Sequence, residues 1–429
     1  MQNLVAKLRR LTTMRSGTFY GWRVVAAAFG LAVLGLGFGF YGPPIFLSAI
    51  REAHGWPLAL VSTAVTVHFL AGSIVTANLP TLYRRFGIPA VTKAGALSLA
   101  VGVFGWAIAA TPWQLFGATV LSGAGWVTMG VAAVNAIVSP WFVRRRPAAL
   151  AVAYNGANVG GIIFSPLWAA AIAKLGFAVA AAAIGLILVV VVWLLASTVL
   201  SRAPEQTGSM PDGAAPAEET VSAKCARPLP GSPLWRDRKF LTLAAGMSLG
   251  LFAQIGLTAH LFSLLLPALG AQWTGPVVGL IGVMAIAGRT LLGWLMPESI
   301  DRRLVACASY AVQIAGTITF IAAAGTNIPL LILGVVLFGL GFGNGTFLPP
   351  LIAQLEFAPD DVPRVVALIV AMSQGAYSFA PAVFGLIREW LPAGTGATPG
   401  FYVAAALVQG LAICAFWAGR QSRLRADAA

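Results

Sequence analysis

Charged side chains are scarce in this sequence: Asp, Glu, Lys and Arg make up 9% of 429 residues, and Asp plus Glu number only 13. Soluble domains carry about a quarter charged residues, so composition alone excludes a water-soluble core under a solvated surface. Cysteine is rarer still. Cys225, Cys307 and Cys414 have no metal or redox spacing, which excludes a disulfide framework and a cysteine-ligated metal. The chain also lacks a phosphate loop, a metal cluster and a nucleophile–base pair, so no cofactor is expected and neither an ATP-driven pump nor an enzyme fits. The GxGxG run at 341–345 does not change this, because no strand precedes it and no Walker lysine follows.

What is there is apolar. Hydrophobic residues make up 59% of the chain, and the mean hydropathy is +0.85. A membrane-crossing helix needs about 20 apolar residues. Spans are read near 24–46, 58–79, 90–110, 113–137, 147–172 and 177–200, then near 240–266, 275–296, 303–325, 329–353, 364–390 and 399–419. The expected fold is an all-α polytopic membrane protein, twelve transmembrane helices in two pseudo-symmetric six-helix bundles, 24–200 and 239–419. Residues 201–238, rich in Pro, Ala, Glu, Gly and Ser, form a flexible connector that cannot bury a core. The segment 1–23 and the tail 420–429 complete the chain. The halves echo each other: LSGAGWVTMG at 121–130 matches LFGLGFGNGT at 337–346 at a shift of 216, glycine on glycine. Repeats of this kind place a binding site between the halves near the membrane midplane.

The +14 net charge is a topology signal, which argues against a nucleic-acid partner. Lys7, Arg9, Arg10, Arg15 and Arg23 precede the first span. Arg84, Arg85, Lys93, Arg144, Arg145, Arg146, Arg302, Arg303, Arg364, Arg420, Arg423 and Arg425 follow on the same side, against Arg51, Lys174 and Arg388 on the other. That asymmetry puts both termini in the cytoplasm of a cell (inner) membrane. No cleavable signal peptide is evident. Leu4, Leu8 and Leu11 form either a short helix on the cytoplasmic leaflet or part of a frayed tail.

Arg289 stands out first, inside an apolar span. An Arg there costs roughly 2.5–3.5 kcal/mol on insertion scales, so it must face an aqueous cavity or a partner. A planar guanidinium grips a carboxylate with two parallel hydrogen bonds, which points to a small organic anion; the alternative is a structural Arg satisfied by helix carbonyls. None of the acids lies in the interior of a span, Glu389 standing at the end of one and Glu356 just beyond another, so a substrate anion could supply the countercharge. His260 and His68 are the remaining titrating candidates. His260 is the candidate proton carrier, with a histidine hydrogen-bonded between helices as the alternative, favoured for His68. Asn155 and Asn158 share a face of span 5 with Tyr154 close by. Ser373, Gln374, Tyr377 and Ser378 stripe span 11, and Gln254 pairs with Thr258 in span 7. Asn344 and Tyr41 are further cavity candidates. These groups suit a hydroxy or keto oxygen beside a carboxylate, or else bind helices together. Gly156, Gly160 and Gly339 to Gly345 read as close-packing positions. Arg144, Arg145 and Arg146 either anchor the face on lipid phosphates or form an inner gate with Asp360 and Asp361.

Two stretches carry a family resemblance: SPWFVRRRPAALAVAYNGANVGG at 139–161 and GLIGVMAIAGRTLLGWL at 279–295, with weaker support from 20–29, 55–62 and 82–87. They resemble the major facilitator superfamily and, within it, the monocarboxylate-transporter-like branch that includes oxalate/formate-type antiporters. The resemblance implies a secondary transporter that moves a monocarboxylate by alternating access, as a monomer, with Arg289 holding the carboxylate. Coupling would be anion exchange or proton symport through His260. Where some of these proteins carry an acid one turn before the Arg, this chain has Ala285; where others carry a lysine in span 1 it has Pro43 and Pro44. An exporter of another small solute or drug, with Arg289 structural, is the alternative. A membrane sensor is a third reading, against which stands the lack of an output domain.

Overall fold

The computed structural model describes residues 19–202, 204, 234–297, 300–390 and 399–420. Most of the expected connector and most of both terminal segments lie outside them, as does the short leaflet helix. Among the described residues twelve helices are long and apolar enough to cross a membrane: α1 Tyr20–His54, α2 Leu58–Phe86, α3 Ile88–Ile108, α4 Pro112–Trp141, α5 Arg146–Leu175, α6 Phe177–Thr198, α7 Arg238–Gly270, α8 Gln272–Leu295, α9 Arg302–Ala322, α10 Ile328–Glu356, α11 Val362–Glu389 and α12 Pro399–Ala418. No strand accompanies them. With an even number of crossings, Phe19 and Arg420 lie on one face, called here the terminal face.

Local chemistry explains the helix ends. Thr111 and Gln114 close a capping box at the start of α4, while Asp237, Asp301 and Asn327 accept backbone N–H bonds at the starts of α7, α9 and α10. The chain reverses between α7 and α8 at Gly270, where φ is 68°, a conformation that a Cβ resists. One expectation shifts here: the connector ends earlier than 238. Leu234–Arg236 already form a helical turn and Leu234 is buried, because Asp237 caps α7 just beyond. α1 also runs past the expected end at 46, since Pro43 lies in the first turn of a second segment, Gly42–His54, where a missing N–H costs nothing.

Four spans are broken near mid-membrane. α1 stops at Gly39 and restarts at Gly42; α4 passes through a 3₁₀ turn at Val127–Met129; α10 breaks at Gly343; α11 breaks between Tyr377 and Ala380. Freed backbone groups are tolerated at that depth only where protein or a cavity satisfies them. The α4 and α10 breaks coincide under the 216-residue shift of the repeat. Helix packing repeats as well: α1 against α5 and α3 against α6 in one half match α7 against α11 and α9 against α12 in the other. Gly156 and Gly160 bring α5 onto the backbone carbonyls of Phe29 and Val33 in α1, the close-packing role expected of them.

Candidate substrate site

A cavity of about 100 Å³ lies where the broken helices meet, with walls from α1, α2, α4 and α5 of one half and α7, α8, α10 and α11 of the other. Its apolar lining includes Leu36, Val131, Leu251, Ile255 and Val370. Arg289 of α8 reaches into it with only 3% of its surface exposed. The guanidinium is placed by the break in α10: Nε and Nη2 both donate to the Gly343 carbonyl, at 2.9 and 2.7 Å. Gly343 ends a half-helix, whose carbonyl dipoles favour a cation there. Nη1 donates to Asn155 Oδ1 at 3.2 Å and Nη2 to Thr346 Oγ1 at 3.3 Å. A guanidinium has five N–H groups, so one Nη1–H remains for a ligand. A Cβ on Gly343 would meet the Ala285 carbonyl at 2.5 Å and Nη2 at 3.3 Å, so the approach of α8 to α10 requires glycine.

The sequence candidates divide. Tyr41, Tyr154, Asn158, Gln254, Ser373, Gln374 and Tyr377 line the cavity beside Arg289. Asn155 stands behind it, joining α5 to α8 through Arg289 and through Thr290, to whose hydroxyl its Nδ2 donates at 2.8 Å. Asn344 is turned away, donating to Ser309 Oγ of α9, because it follows the break and its side chain leaves on the far side of α10. Thr258 and Ser378 bond backwards to their own helices and do not line the cavity. Neither does His260, which is half-buried, donates from Nε2 to the Pro381 carbonyl at 2.9 Å and packs on Phe401. His68 is buried between α1 and α4: Nε2 donates to the Gly39 carbonyl and Nδ1 pairs with Ser122 Oγ, both at 2.8 Å.

The halves touch on both sides of the cavity. Away from the terminal face, Tyr377 packs on Phe40 and Phe69, Gln374 donates to the Phe69 carbonyl at 3.0 Å and Ser73 to the Ala371 carbonyl at 2.7 Å. Toward it, Gln354 of α10 donates to Asn135 Oδ1 and Ser139 Oγ of α4, and Trp22 stacks on Trp294. A second cavity, about 960 Å³, opens at the terminal face; Arg84, Arg146, Arg364 and Asp360 line it. Of the gate residues, Arg146 and Asp360 therefore share one cavity, and Arg144, Arg145 and Asp361 do not line it.

Residue-by-residue reading missed several groups. Thr76 and Trp126 line the central cavity; the repeat offered a signal, since it aligns Trp126 with Phe342 at the two breaks. Arg303 was read as a topology charge, yet it is 2% exposed and paired with Glu356 at 2.6 Å.

The model of the Major Facilitator Superfamily matches residues 27–381. The chain belongs to the Major Facilitator Superfamily. It is a membrane transporter and not an enzyme. Its fold is similar to that of the fucose:proton symporter of E. coli, at 15% identity and a TM-score of 0.67, over 94% of this chain and 100% of that one. It is similar also to the human organic anion transporter MFSD10, at 15% identity and a TM-score of 0.63, over 93% and 99%. At these identities the likeness shows the fold of the superfamily alone. No curated protein sequence matches the chain.

Proposed function

We propose that this transporter carries a small organic anion, a monocarboxylate, by alternating access of its two halves, with Arg289 as the carboxylate anchor. One observation carries the reading: a buried cation in the central cavity whose hydrogen bonds go to a carbonyl, an amide and a hydroxyl. None of these neutralises a charge that is expensive at this depth. An anion accepting the remaining Nη1–H, and displacing Asn155 from the other, would do so. The branch resemblance around 139–161 and 279–295 supports the same reading. The basic terminal face is then cytoplasmic in a cell membrane, and the carrier acts as a monomer among lipids whose phosphates meet Arg144 and Arg145.

Exchange of one anion for another is favoured over proton symport in this reading, because His260 is bonded to Pro381 and stands outside the cavity. A second reading has its own support: the doubled bond from Arg289 to Gly343 also suits a structural arginine beside a site for another small solute. Uptake of labelled monocarboxylates into proteoliposomes, with and without a pH gradient, separates the two. Saturable uptake of one acid, abolished in Arg289→Lys although that variant folds, is the expected result. Transport of an acid by the variant at the wild-type rate, or of none by the wild type, overturns the anion reading. Stimulation by an inward proton gradient would bring His260 back as proton carrier.

A further inference from the structure

Four buried polar atoms of residues around the central cavity have no hydrogen-bond partner within the protein: Thr76 Oγ1, Trp126 Nε1, Asn158 Nδ2 and Gln254 Oε1. Buried polar groups are nearly always paired, because leaving one unpaired costs about 1–3 kcal/mol. The three that can donate come from α2, α4 and α5, in the half opposite Arg289. Trp126 is the sharpest case. An indole N–H can only donate, so no change of tautomer relieves it. The ring is 4% exposed, wedged against Gly39 and stacked on His68 at 6.1 Å, so it is held where it is. The repeat places Phe342 at the matching position of α10, also in the cavity wall. An aromatic ring without an N–H therefore serves as wall at one break, and the indole at the other adds a donor.

We propose that Trp126, seconded by Asn158, is a specificity-determining contact that donates to an oxygen the substrate carries beyond its carboxylate, a hydroxyl or keto group. This rests on the anion reading above. The substrate is then held from both sides: Arg289 of one half takes the carboxylate, and Trp126 and Asn158 of the other take the second oxygen. An acid lacking that oxygen leaves the indole N–H buried and unpaired. A site built to hydrogen-bond a group rejects the analogue without it more strongly than an apolar pocket rejects a misfit.

The test compares propanoate with 2-hydroxypropanoate, acids of equal chain length that differ by one oxygen. Affinity is read from dose-dependent thermal stabilisation of the purified full-length transporter. The wild type should prefer the hydroxy acid about tenfold or more. Trp126→Phe removes the N–H and keeps a ring, and should cut that preference to about threefold or less. Asn158→Leu should lower it as well and leaves the Trp126 packing intact, so it decides the matter if Trp126→Phe does not fold. Arg289→Lys should weaken both acids alike and leave their ratio near the wild-type value. A wild type that does not discriminate, or full preference retained in both Trp126→Phe and Asn158→Leu, overturns the proposal. If neither acid stabilises the wild type, this proposal is overturned, and the uptake panel above decides separately whether the anion reading falls with it.

Discussion

A guanidinium at membrane depth must be solvated by something, and here Gly343 supplies the first ligand through a carbonyl released where α10 breaks. The same residue sets how closely α8 and α10 approach. Gly343→Ala would put a methyl 2.5 Å from the Ala285 carbonyl, a separation that forces the helices apart at a cost of about 1–3 kcal/mol. Transport is expected to fall about tenfold or more, with the loss showing as raised KM because Arg289 shifts with the helix. Gly279→Ala in α8, with open space around its position, should transport as the wild type does; equal rates for both variants would show that the approach at Gly343 is dispensable. Arg289 was legible in the sequence because an isolated charge in an apolar run has few explanations. Trp126 was not, because an indole in a membrane helix is ordinary until its surroundings show that the N–H has no partner.

At the level of helices, the terminal-face ends of the second half are fastened by an ion pair whose arginine is buried and whose glutamate is partly so. Arg303 opens α9 and Glu356 ends α10, with Nε–Oε1 at 2.6 Å and Nη2–Oε2 at 2.8 Å. The remaining donors of Arg303 reach Thr242 and the Lys239 carbonyl of α7 and the Phe416 carbonyl of α12. Four helices thus converge on one side chain. Removing one partner of a buried pair leaves an uncompensated charge, worth about 3 kcal/mol or more. Glu356→Gln should therefore lower the thermal midpoint in detergent by several degrees, while a midpoint equal to wild type would show the pair to be incidental. Hydropathy revealed both helices and put both charges at their ends. It could not show that Arg303 points inward, since a charge at a helix end reads the same whether it faces water or a neighbouring helix.

At the scale of the whole molecule, the second half is also closed at its terminal face by a contact that responds to acid. Asp301, which caps α9 through its bonds to the Arg303 and Leu304 amides, accepts a 2.7 Å bond from Arg420 beyond α12. Burial pushes its carboxyl up, but the hydrogen bonds from the Arg420 side chain and the Arg303 amide outweigh this and hold it below the ordinary carboxylate range. A carboxyl depressed on folding contributes stability that is complete above its unfolded value, about 4, and fades as pH falls through the lower folded value. The gap in thermal midpoint between wild type and Asp301→Asn should therefore be constant at neutral pH and narrow below about pH 4. A gap that does not change with pH would assign the effect to the lost cap and not to the charge.

The amino-acid sequence by itself determined the number of spans, their alternation, the concentration of positive charge on one face and the duplication of the halves. Each of these is a sum over many residues: apolar transfer energy sets a helix in the membrane, and loop charge sets its direction. What tertiary structure alone decided is which polar side chains look into the space between the halves. Asn155, Asn158 and Asn344 are alike in sequence, yet one braces Arg289, one lines the cavity and one faces α9. That choice depends on where α1, α4, α10 and α11 break and on how closely glycines let their neighbours approach. A rotation of a helix by one residue turns a side chain through about 100°, and only the packed bundle says which way each helix has turned.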